Sequence, residues 1–485
     1  MMSDGMKYET VIGLECHAQL LTATKLFCGC RASFGAPPNT NICPVCLGLP
    51  GALPVLNRWA VELATRMSFA TSCDVNETSI FARKNYFYPD LPKGYQISQY
   101  DRPLAENGIV SIQTNGTEKT VRIERIHMEE DAGKLLHDGF EGAGSKSAVD
   151  FNRSGVPLIE IVSQPDLSSP EEATEYARAL KEILEYTDVS DADMEKGNFR
   201  CDGNVSIRPL GATELGTKVE LKNLNSFKFL SRALHFEIVR QIELIESGGR
   251  VVQETRLYDT EAERTVPMRS KEEAHDYRYF PEPDLPPLVL DSVWISRIHE
   301  GLPELPRQRR VRLQEEYAIP AYDAEVLTSS RELADYFEGA VERSKNAKAT
   351  SNWIMSELLR KVKETGIALR DMPVAPEALG ELVHLVDEGT ISGKIGKEVF
   401  EKMFVTGRAP GAIVEEEGLS QISDVSALEE LVRNVIAEHP DQVTELKAGK
   451  NKVLGFLVGQ IMKASRGQAN PKLAREILVR LLEEL

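Results

Sequence analysis

The chain has 485 residues and a formal net charge of −18. This length exceeds what one hydrophobic core usually holds, so two or three domains are expected. The negative charge argues against a general nucleic-acid-binding surface but allows a local basic patch. No run of about 18 apolar residues is present, as a membrane helix would need, and the start lacks the features of a signal peptide. We therefore expect a cytoplasmic protein that does not contact a membrane.

The first predicted element is a β-strand over residues 9–20, ETVIGLECHAQL. With a period of two, apolar side chains fall on one face, whereas Glu15 and His17 fall on the other. A carboxylate and an imidazole held two residues apart on a rigid strand suit a divalent cation. For this segment alone, a half-buried strand whose polar face meets water is the alternative.

Two cysteine pairs follow, CGC and CPVC, separated by twelve residues. Such pairs supply the four tetrahedral ligands that zinc prefers. Because four protein ligands leave no open coordination position, the predicted role is structural, to fix a loop rich in proline and glycine. Four reduced cysteines without a metal are the alternative. The predicted ligands in this 28–46 loop are Cys28, Cys30, Cys43 and Cys46.

Residues 82–99, ARKNYFYPDLPKGYQISQ, combine cations with aromatic and amide side chains. The cations suit phosphates, and the other groups suit a base or an acceptor end, although a tyrosine-rich surface loop is the alternative. The predicted nucleotide-binding residues are Arg83, Lys84, Asn85, Tyr86, Lys93, Tyr95 and Gln96. The stretch GFEGAGSKS at 139–147 is rejected as a P-loop, because its lysine comes one position too late and the residues after it favour an extended chain.

Three later segments are predicted to extend the polar face of the first strand. Residues 125–134, RIHMEEDAGK, place a histidine and three acids behind a β-like run. Residues 156–163 carry Glu160 as a lone carboxylate in an apolar strand, and residues 200–208 place Asp202 on a polar face. An unpaired buried charge costs several kcal/mol, so such a carboxylate usually has a cation as its partner. These segments together favour a metal-assisted active site.

The predicted fold class is α+β, with a mostly antiparallel or mixed sheet followed by helices. Strands without a helix after each one argue against a doubly wound fold, and a proline-rich linker lies near residue 285. The expected domains are a body at 1–290, a helical domain at 291–408 and a small helical tail at 409–485. A helix is predicted from about 170, because Ser169 is a typical capping residue, Pro170 suits the first helical position and Glu172 completes a capping box. Further helices are predicted at about 226–246, 310–317, 329–344 and 374–388.

The tail is strongly basic. Residues 447–482 contain eight basic residues and one acid, a net charge of +7, which leaves −25 for the rest of the chain. Small polar residues between the cations would let a phosphate backbone approach closely, although a solvated basic helix face is the alternative. The predicted contacts are Lys463, Arg466, Lys472 and Arg475.

Long blocks of the chain resemble the B subunits of the tRNA-dependent aspartyl/glutamyl amidotransferases, the GatB family. The resemblance is carried by ETVIGLECHAQL, RKNYFYPDLPKGYQISQYD, HMEEDAGK, FNRSGVPLIEIVS, RCDGNVSIRP, ELKNLNSF, DYRYFPEPDLPPL, TSNW and FLVGQIMKASRGQANP, and it spans almost the whole chain. Some relatives lack the four cysteines, which are present here, and the archaeal relative carries an inserted domain that is absent here.

The resemblance implies a cradle-shaped body remotely similar to glutamine synthetase. It also implies a reaction in which ATP and Mg²⁺ phosphorylate the side-chain carboxylate of Glu-tRNA(Gln), Asp-tRNA(Asn) or both. Ammonia from a GatA-like glutaminase partner then displaces the phosphate, and a small GatC-like partner stabilises the pair. A histidine ligand suits Mn²⁺ as well as Mg²⁺. The implied metal ligands are Glu15, His17, Glu130 and Glu160, with Asp202 in the same site.

Two other classes of function remain open at this point. A tRNA-binding scaffold without chemistry of its own would leave the lone carboxylates on the predicted strands unexplained. A small-molecule ligase of the glutamine synthetase type would leave the basic tail unexplained.

Overall fold

The computed structural model describes residues 7–140, 143–268, 277–420, 425–447, 452–465 and 469–484. The chain forms two compact units, Met1–Leu305 and Pro306–Leu485. The three-domain division expected from the sequence is finer than these two units and stays a prediction.

The first unit contains the strands of the described chain. They are β1 (Tyr8–Gln19), β2 (Asp74–Val75), β3 (Thr78–Ser79), β4 (Phe81–Asn85), β5 (Tyr95–Gln99), β6 (Ala105–Thr114), β7 (Thr117–Glu130), β8 (Lys134–Leu136), β9 (Ala148–Asp150), β10 (Pro157–Ser163), β11 (Phe199–Pro209), β12 (Val219–Leu224), β13 (Glu254–Asp259), β14 (Arg264–Pro267), β15 (Phe280–Pro281) and β16 (Leu288–Val289).

Nine of these strands form one sheet in the order β14-β13-β12-β11-β1-β10-β7-β6-β2. The β12–β13 pair is parallel, and the other neighbours are antiparallel. The predicted mixed sheet is therefore confirmed, with the predicted first strand near its centre. A separate three-stranded sheet, which we call the small sheet, has the order β15-β4-β5.

The helices of the first unit are α1 (Arg58–Ala70), α2 (Pro170–Tyr186), α3 (Phe227–Glu246) and α4 (Ser292–Glu300). Helices α1, α2 and α3 contact the large sheet and share its hydrophobic core. Ile12, Leu14 and Cys16 of β1 are buried in that core, as their alternation predicts. The polar residues of β1 consequently project from the opposite face.

The start of α2 confirms the capping signal read from the sequence. Ser169 is the N-cap, its hydroxyl accepts a hydrogen bond from the Glu172 backbone N–H at 3.2 Å, and Pro170 is the first helical residue.

The second unit is helical. Its helices are α5 (Pro306–Tyr317), α6 (Ala321–Leu327), α7 (Arg331–Ser344), α8 (Ala347–Trp353), α9 (Leu359–Thr365), α10 (Pro376–Asp387), α11 (Gly393–Thr406), α12 (Pro410–Glu416), α13 (Val425–Glu438), α14 (Pro440–Lys447), α15 (Lys452–Ala464) and α16 (Pro471–Glu484), with a π-helical turn at Ile354–Leu358 and a 3₁₀ turn at Leu369–Asp371.

Two separate hydrophobic clusters stabilise this unit. One extends from Leu313 to Val414, and the other from Leu428 to Leu481. Leu457 and Ile461 are buried in the second cluster, so the tail has its own hydrophobic core. Among the described helices, none combines the length and the apolar character that crossing a bilayer requires.

Candidate active site

The register of the large sheet brings charged residues from four neighbouring strands into one row. His127 of β7 lies opposite Glu160 of β10, which lies opposite His17 of β1. Arg200 of β11 lies opposite His17 on the other side. Because directly opposed residues project to the same face of a sheet, all four side chains emerge on the polar face.

Two carboxylates and two imidazoles converge on this face. The His17 Nε2 atom lies 3.3 Å from Glu160 Oε2 and 3.6 Å from Glu129 Oε1. The His127 Nε2 atom lies 3.2 Å from Glu160 Oε2 and 3.8 Å from Glu129 Oε2. Candidate ligand atoms of His17, Glu129 and Glu160 all lie within 4.8 Å of one another. We call His17, His127, Glu129 and Glu160 the acid–imidazole cluster.

Electrostatics in the cluster favour charged side chains. Burial works to lower the pKa of His127, but the charge of Glu160 and hydrogen bonds to both carboxylates raise that pKa to about 9. Burial opposes ionisation of Glu160, but His127 and His17 hold its pKa well below the usual value. The pKa of Glu129 is lowered in the same way, against the effect of burial, through its hydrogen bond with His127. The cluster therefore balances its buried carboxylates with imidazolium charge.

Glu15 lies two residues before His17 on the same face. Its Oε1 accepts a hydrogen bond of 2.9 Å from Asn204 Nδ2. Burial raises the pKa of Glu15, as do the charges of Glu160 and Glu220, while the Asn204 hydrogen bond opposes the shift. Asp202 lies opposite Glu15 on β11 and pairs with Lys222 at 3.2 Å. The structure thus brings the two acids to the polar face, in the row next to His17.

Glu130 does not join the cluster. Successive side chains on β7 point to opposite faces, so Glu129 faces His17 whereas Glu130 faces away. The Glu130 carboxylate pairs with Lys93 and accepts a 3.0 Å hydrogen bond from the Ile97 backbone N–H. The pair lines a cavity of about 200 Å³ beside the cysteine loop.

The neighbouring cations of β4 are used in different ways. Arg83 makes two 2.7 Å hydrogen bonds to the fully buried carboxylate of Glu282, and its guanidinium stacks on the Tyr95 ring. Lys84 points to the other side of the strand, over the Tyr277 ring at 4.9 Å. Burial works to lower the pKa of Lys84, but the charges of Glu129, Tyr279 and Glu160 raise it above its usual value. Lys84 therefore adds a positive charge beside the acid–imidazole cluster.

The other residues predicted to bind a nucleotide hold the small sheet in place. Gln96 Nε2 donates to the Glu130 carbonyl at 2.7 Å. Asn85 Nδ2 donates to the Arg278 carbonyl at 2.9 Å, and the Tyr86 ring lies 6.0 Å from that of Tyr277. Among these predicted residues, Lys84 is the cation whose pKa is raised by the carboxylates of the cluster.

The cysteine quartet forms one compact group. Its four sulfur atoms lie within 4.8 Å of one another. The Cys43 backbone N–H donates to Cys46 Sγ at 3.1 Å. The hydrogen bond from Cys28 lowers the pKa of Cys46 to about 4, despite partial burial. This donor set fits zinc, whose bonds of about 2.3 Å to tetrahedral sulfurs place those sulfurs about 3.8 Å apart.

Comparison with known proteins identifies the kind of protein that carries these features. Residues 10–296 match the family described as the GatB/GatE catalytic domain, and residues 335–482 match the GatB domain. A Geotalea daltonii protein is 55% identical over 99% of this chain and 100% of its own length, and a Thermoanaerobacter protein is 56% identical over 98% and 99%. A Persephonella marina protein is 54% identical over 99% and 100%. Each is named as the B subunit of an aspartyl/glutamyl-tRNA(Asn/Gln) amidotransferase.

This chain belongs to the GatB family. The catalytic-domain match of the family covers the strands that carry the acid–imidazole cluster, together with the small sheet and the cysteine loop. The second match covers α15 and most of α16, which carry Lys463, Lys472 and Arg475 of the predicted tRNA contacts.

The predicted tRNA contacts that lie among the described residues are exposed. Lys463 is exposed at the end of α15, and Lys472 and Arg475 are exposed one turn apart on α16. Arg466 lies outside the described residues. Arg480, on the same helix, pairs with Glu429, so its charge is partly neutralised within the tail.

Two members of the acid–imidazole cluster, His127 and Glu129, were not selected as site residues from the sequence. The signal that could have found them is alternation along β7, because a strand through HMEED sends His127 and Glu129 to the same face and Glu130 to the other.

Substitution of the two β4 cations should separate their roles. Arg83→Met should lower the free energy of unfolding by about 3–5 kcal/mol, because it leaves the Glu282 carboxylate buried without its partner. Lys84→Met should cost much less, since Lys84 has no ion pair within 4 Å among the described residues. Chemical denaturation of both variants, monitored by circular dichroism, measures the difference in their free energies of unfolding. Equal loss of stability would contradict a structural role that is specific to Arg83.

Proposed function

We propose that this chain is the ATP-dependent activating component of a tRNA-dependent amidotransferase. It phosphorylates the side-chain carboxylate of glutamate on tRNA(Gln), of aspartate on tRNA(Asn), or of both, and then amidates it with ammonia. The observation that carries the proposal is the acid–imidazole cluster with Lys84 beside it, within the part that matches a catalytic domain. The names of the relatives support the choice of substrate.

The cluster fits a divalent cation. His17, Glu129 and Glu160 would hold Mg²⁺, and their nitrogen and carboxylate donors also suit Mn²⁺. Such an ion, when bound, supplies positive charge that offsets the charge of a transferring phosphoryl group. Glu130, which the family resemblance implies as a ligand, is held by Lys93 in this structure.

The chain's own residues supply the rest of the chemistry. Lys84 and Arg200 are cations beside the cluster and suit the phosphate oxygens of ATP. A carboxylate becomes a good acyl donor once phosphorylation turns one of its oxygens into a leaving group. Burial raises the pKa of Glu15, which suits this carboxylate to accept the proton that ammonia loses as it attacks the carbonyl carbon.

The relatives are named as B subunits, which indicates that they act together with other proteins. We propose a heterotrimer in the cytoplasm, in which a GatA-like partner releases ammonia from glutamine and a small GatC-like partner stabilises the assembly. We further propose that the sheet-based body is remotely similar to glutamine synthetase, which also activates a carboxylate for attack by ammonia. Within the chain, 1–290 would be the catalytic cradle, 291–408 a helical domain and 409–485 the tRNA-binding tail.

Glu129→Gln and Glu160→Gln should each abolish ATP hydrolysis that depends on mischarged tRNA, or sharply raise the Mg²⁺ concentration it requires, because each removes a charged ligand. Glu124→Gln is the matched control. Glu124 lies on β7, like Glu129, but is exposed, so this variant should behave like the parent. The measurement is phosphate release by the assembled complex, titrated with Mg²⁺.

Glu130→Gln tests the ligand set itself. With Glu129 as the ligand, this variant keeps the parent's Mg²⁺ requirement even if turnover falls through the loss of the Lys93 pair. A raised Mg²⁺ requirement in Glu130→Gln, with Glu129→Gln unchanged, would reverse the assignment. If ATP hydrolysis by the parent complex did not depend on mischarged tRNA, the proposed function would be wrong.

We propose that the cysteine quartet holds one structural zinc ion. Elemental analysis of chelator-free protein should give one zinc per chain. Cys46→Ser should lower the zinc content and the melting temperature together, because metal binding stabilises the loop. Cys73→Ser, a buried cysteine outside the quartet, should keep the zinc. Parent protein without zinc would refute this site.

We propose that the tail binds the body of the tRNA. The double variant Lys472→Gln, Arg475→Gln should weaken tRNA binding and reduce the slope of log affinity against log salt by roughly one unit for each phosphate interaction that the substitutions remove. Arg480→Gln is the matched control on the same helix, because Glu429 already pairs with that charge. Binding measured at several salt concentrations checks this, and an unchanged slope in the double variant would assign the basic surface another role.

A further inference from the structure

Two tyrosine rings near the small sheet form a parallel stack. The ring centroids of Tyr100 and Tyr279 lie 4.1 Å apart, with an angle of 4° between the planes. Tyr279 also contacts the Tyr277 ring, with 6.1 Å between the centroids and 75° between the planes, in an edge-on arrangement. Tyr100 is 53% exposed, so it is the open end of the stack.

The stack is anchored beside the acid–imidazole cluster. Tyr100 follows β5 directly, and Gln99 at the end of β5 accepts a 3.0 Å hydrogen bond from the Met128 backbone N–H of β7. Tyr279 directly precedes β15. Burial raises the pKa of the Tyr279 phenol, Lys84 opposes the shift, and the charges of Glu160 and Glu129 add to it. Tyr279 therefore senses the carboxylates of the candidate active site, and Tyr100 is joined to it by the stack and to β7 through the neighbouring Gln99.

The substrate class dictates what must lie beside those carboxylates. The inference rests on the proposed function, in which the reacting carboxylate belongs to an amino acid esterified to the last ribose of a tRNA. Only a few covalent bonds separate that carboxylate from the ribose, so the unpaired 3′ end must enter together with the amino acid. Proteins bind unpaired nucleotides by stacking their bases on aromatic side chains.

We infer that Tyr100 and Tyr279 form a stacking platform for the unpaired 3′-terminal nucleotides of the tRNA, with a base placed on the open face of Tyr100. An exposed, flat stack suits the end of a strand, whereas a small nucleotide is usually enclosed in a concave pocket. The platform would position the terminal ribose while the carboxylate reaches the cluster. Tyr100 is then a positioning residue for the acceptor end.

The test compares Tyr100→Ala, Tyr100→Phe and Tyr322→Ala in the assembled complex. Tyr100→Ala should raise the KM for mischarged tRNA roughly 5- to 100-fold, the range expected for loss of one base–aromatic stack. Tyr100→Phe keeps the ring and should resemble the parent. Tyr322→Ala removes an exposed tyrosine of α6 and should leave the KM unchanged. The KM for ATP should be unaffected in all three variants.

A binding measurement that needs no turnover completes the test. A tRNA with 2-aminopurine as its 3′-terminal base should lose fluorescence on binding to the parent and to Tyr100→Phe, because stacking quenches this base, but not on binding to Tyr100→Ala. Unchanged quenching and tRNA KM in Tyr100→Ala would overturn the inference. A rise in the KM for ATP instead would show that the base of ATP occupies the stack. Failure of the proposed function differs from both, since the parent complex would then show no tRNA-dependent amidation.

Discussion

Burial of two carboxylates on one face of the large sheet determines much of the surrounding structure. Glu129 and Glu160 are almost fully buried, at 3% and 8% exposure, and neither can stay ionised there without nearby positive charge. His17 and His127 supply part of it from the same sheet. Lys84 supplies more from a different sheet, so the charge balance of the site depends on the small sheet being in place.

The small sheet is held by polar contacts at the end of β7 and by a partner far along the chain. Hydrogen bonds from Gln96, from the Ile97 backbone and to Gln99 fix β5 against β7. Glu282, almost two hundred residues after Arg83, closes the sheet through a bidentate ion pair. Alternation along β4 thus directs Arg83 to a structural ion pair and Lys84 to the candidate active site.

The sequence was enough to predict the elements with a strong local pattern. The alternation in residues 9–20 identified the central strand and its polar face, and the Ser169 capping signal marked the start of α2. The partner of Arg83 could not be predicted, because Glu282 is brought to it only by tertiary folding. In HMEED, either Glu129 or Glu130 could face His17, depending on how the strand alternates. A shift of one residue exchanges the two faces of the strand, and the local sequence does not fix that choice.

The position of β1 in the sheet has a consequence for how the chain folds during synthesis. Its partners β10 and β11 are synthesised after it, about 140 to 200 residues later along the chain. Until they are made, a strand with one apolar face and two unpaired edges has no partner in the large sheet. Such long-range pairing slows folding and exposes the chain to aggregation. Folding of the first unit therefore depends on keeping β1 available until β10 and β11 have been made.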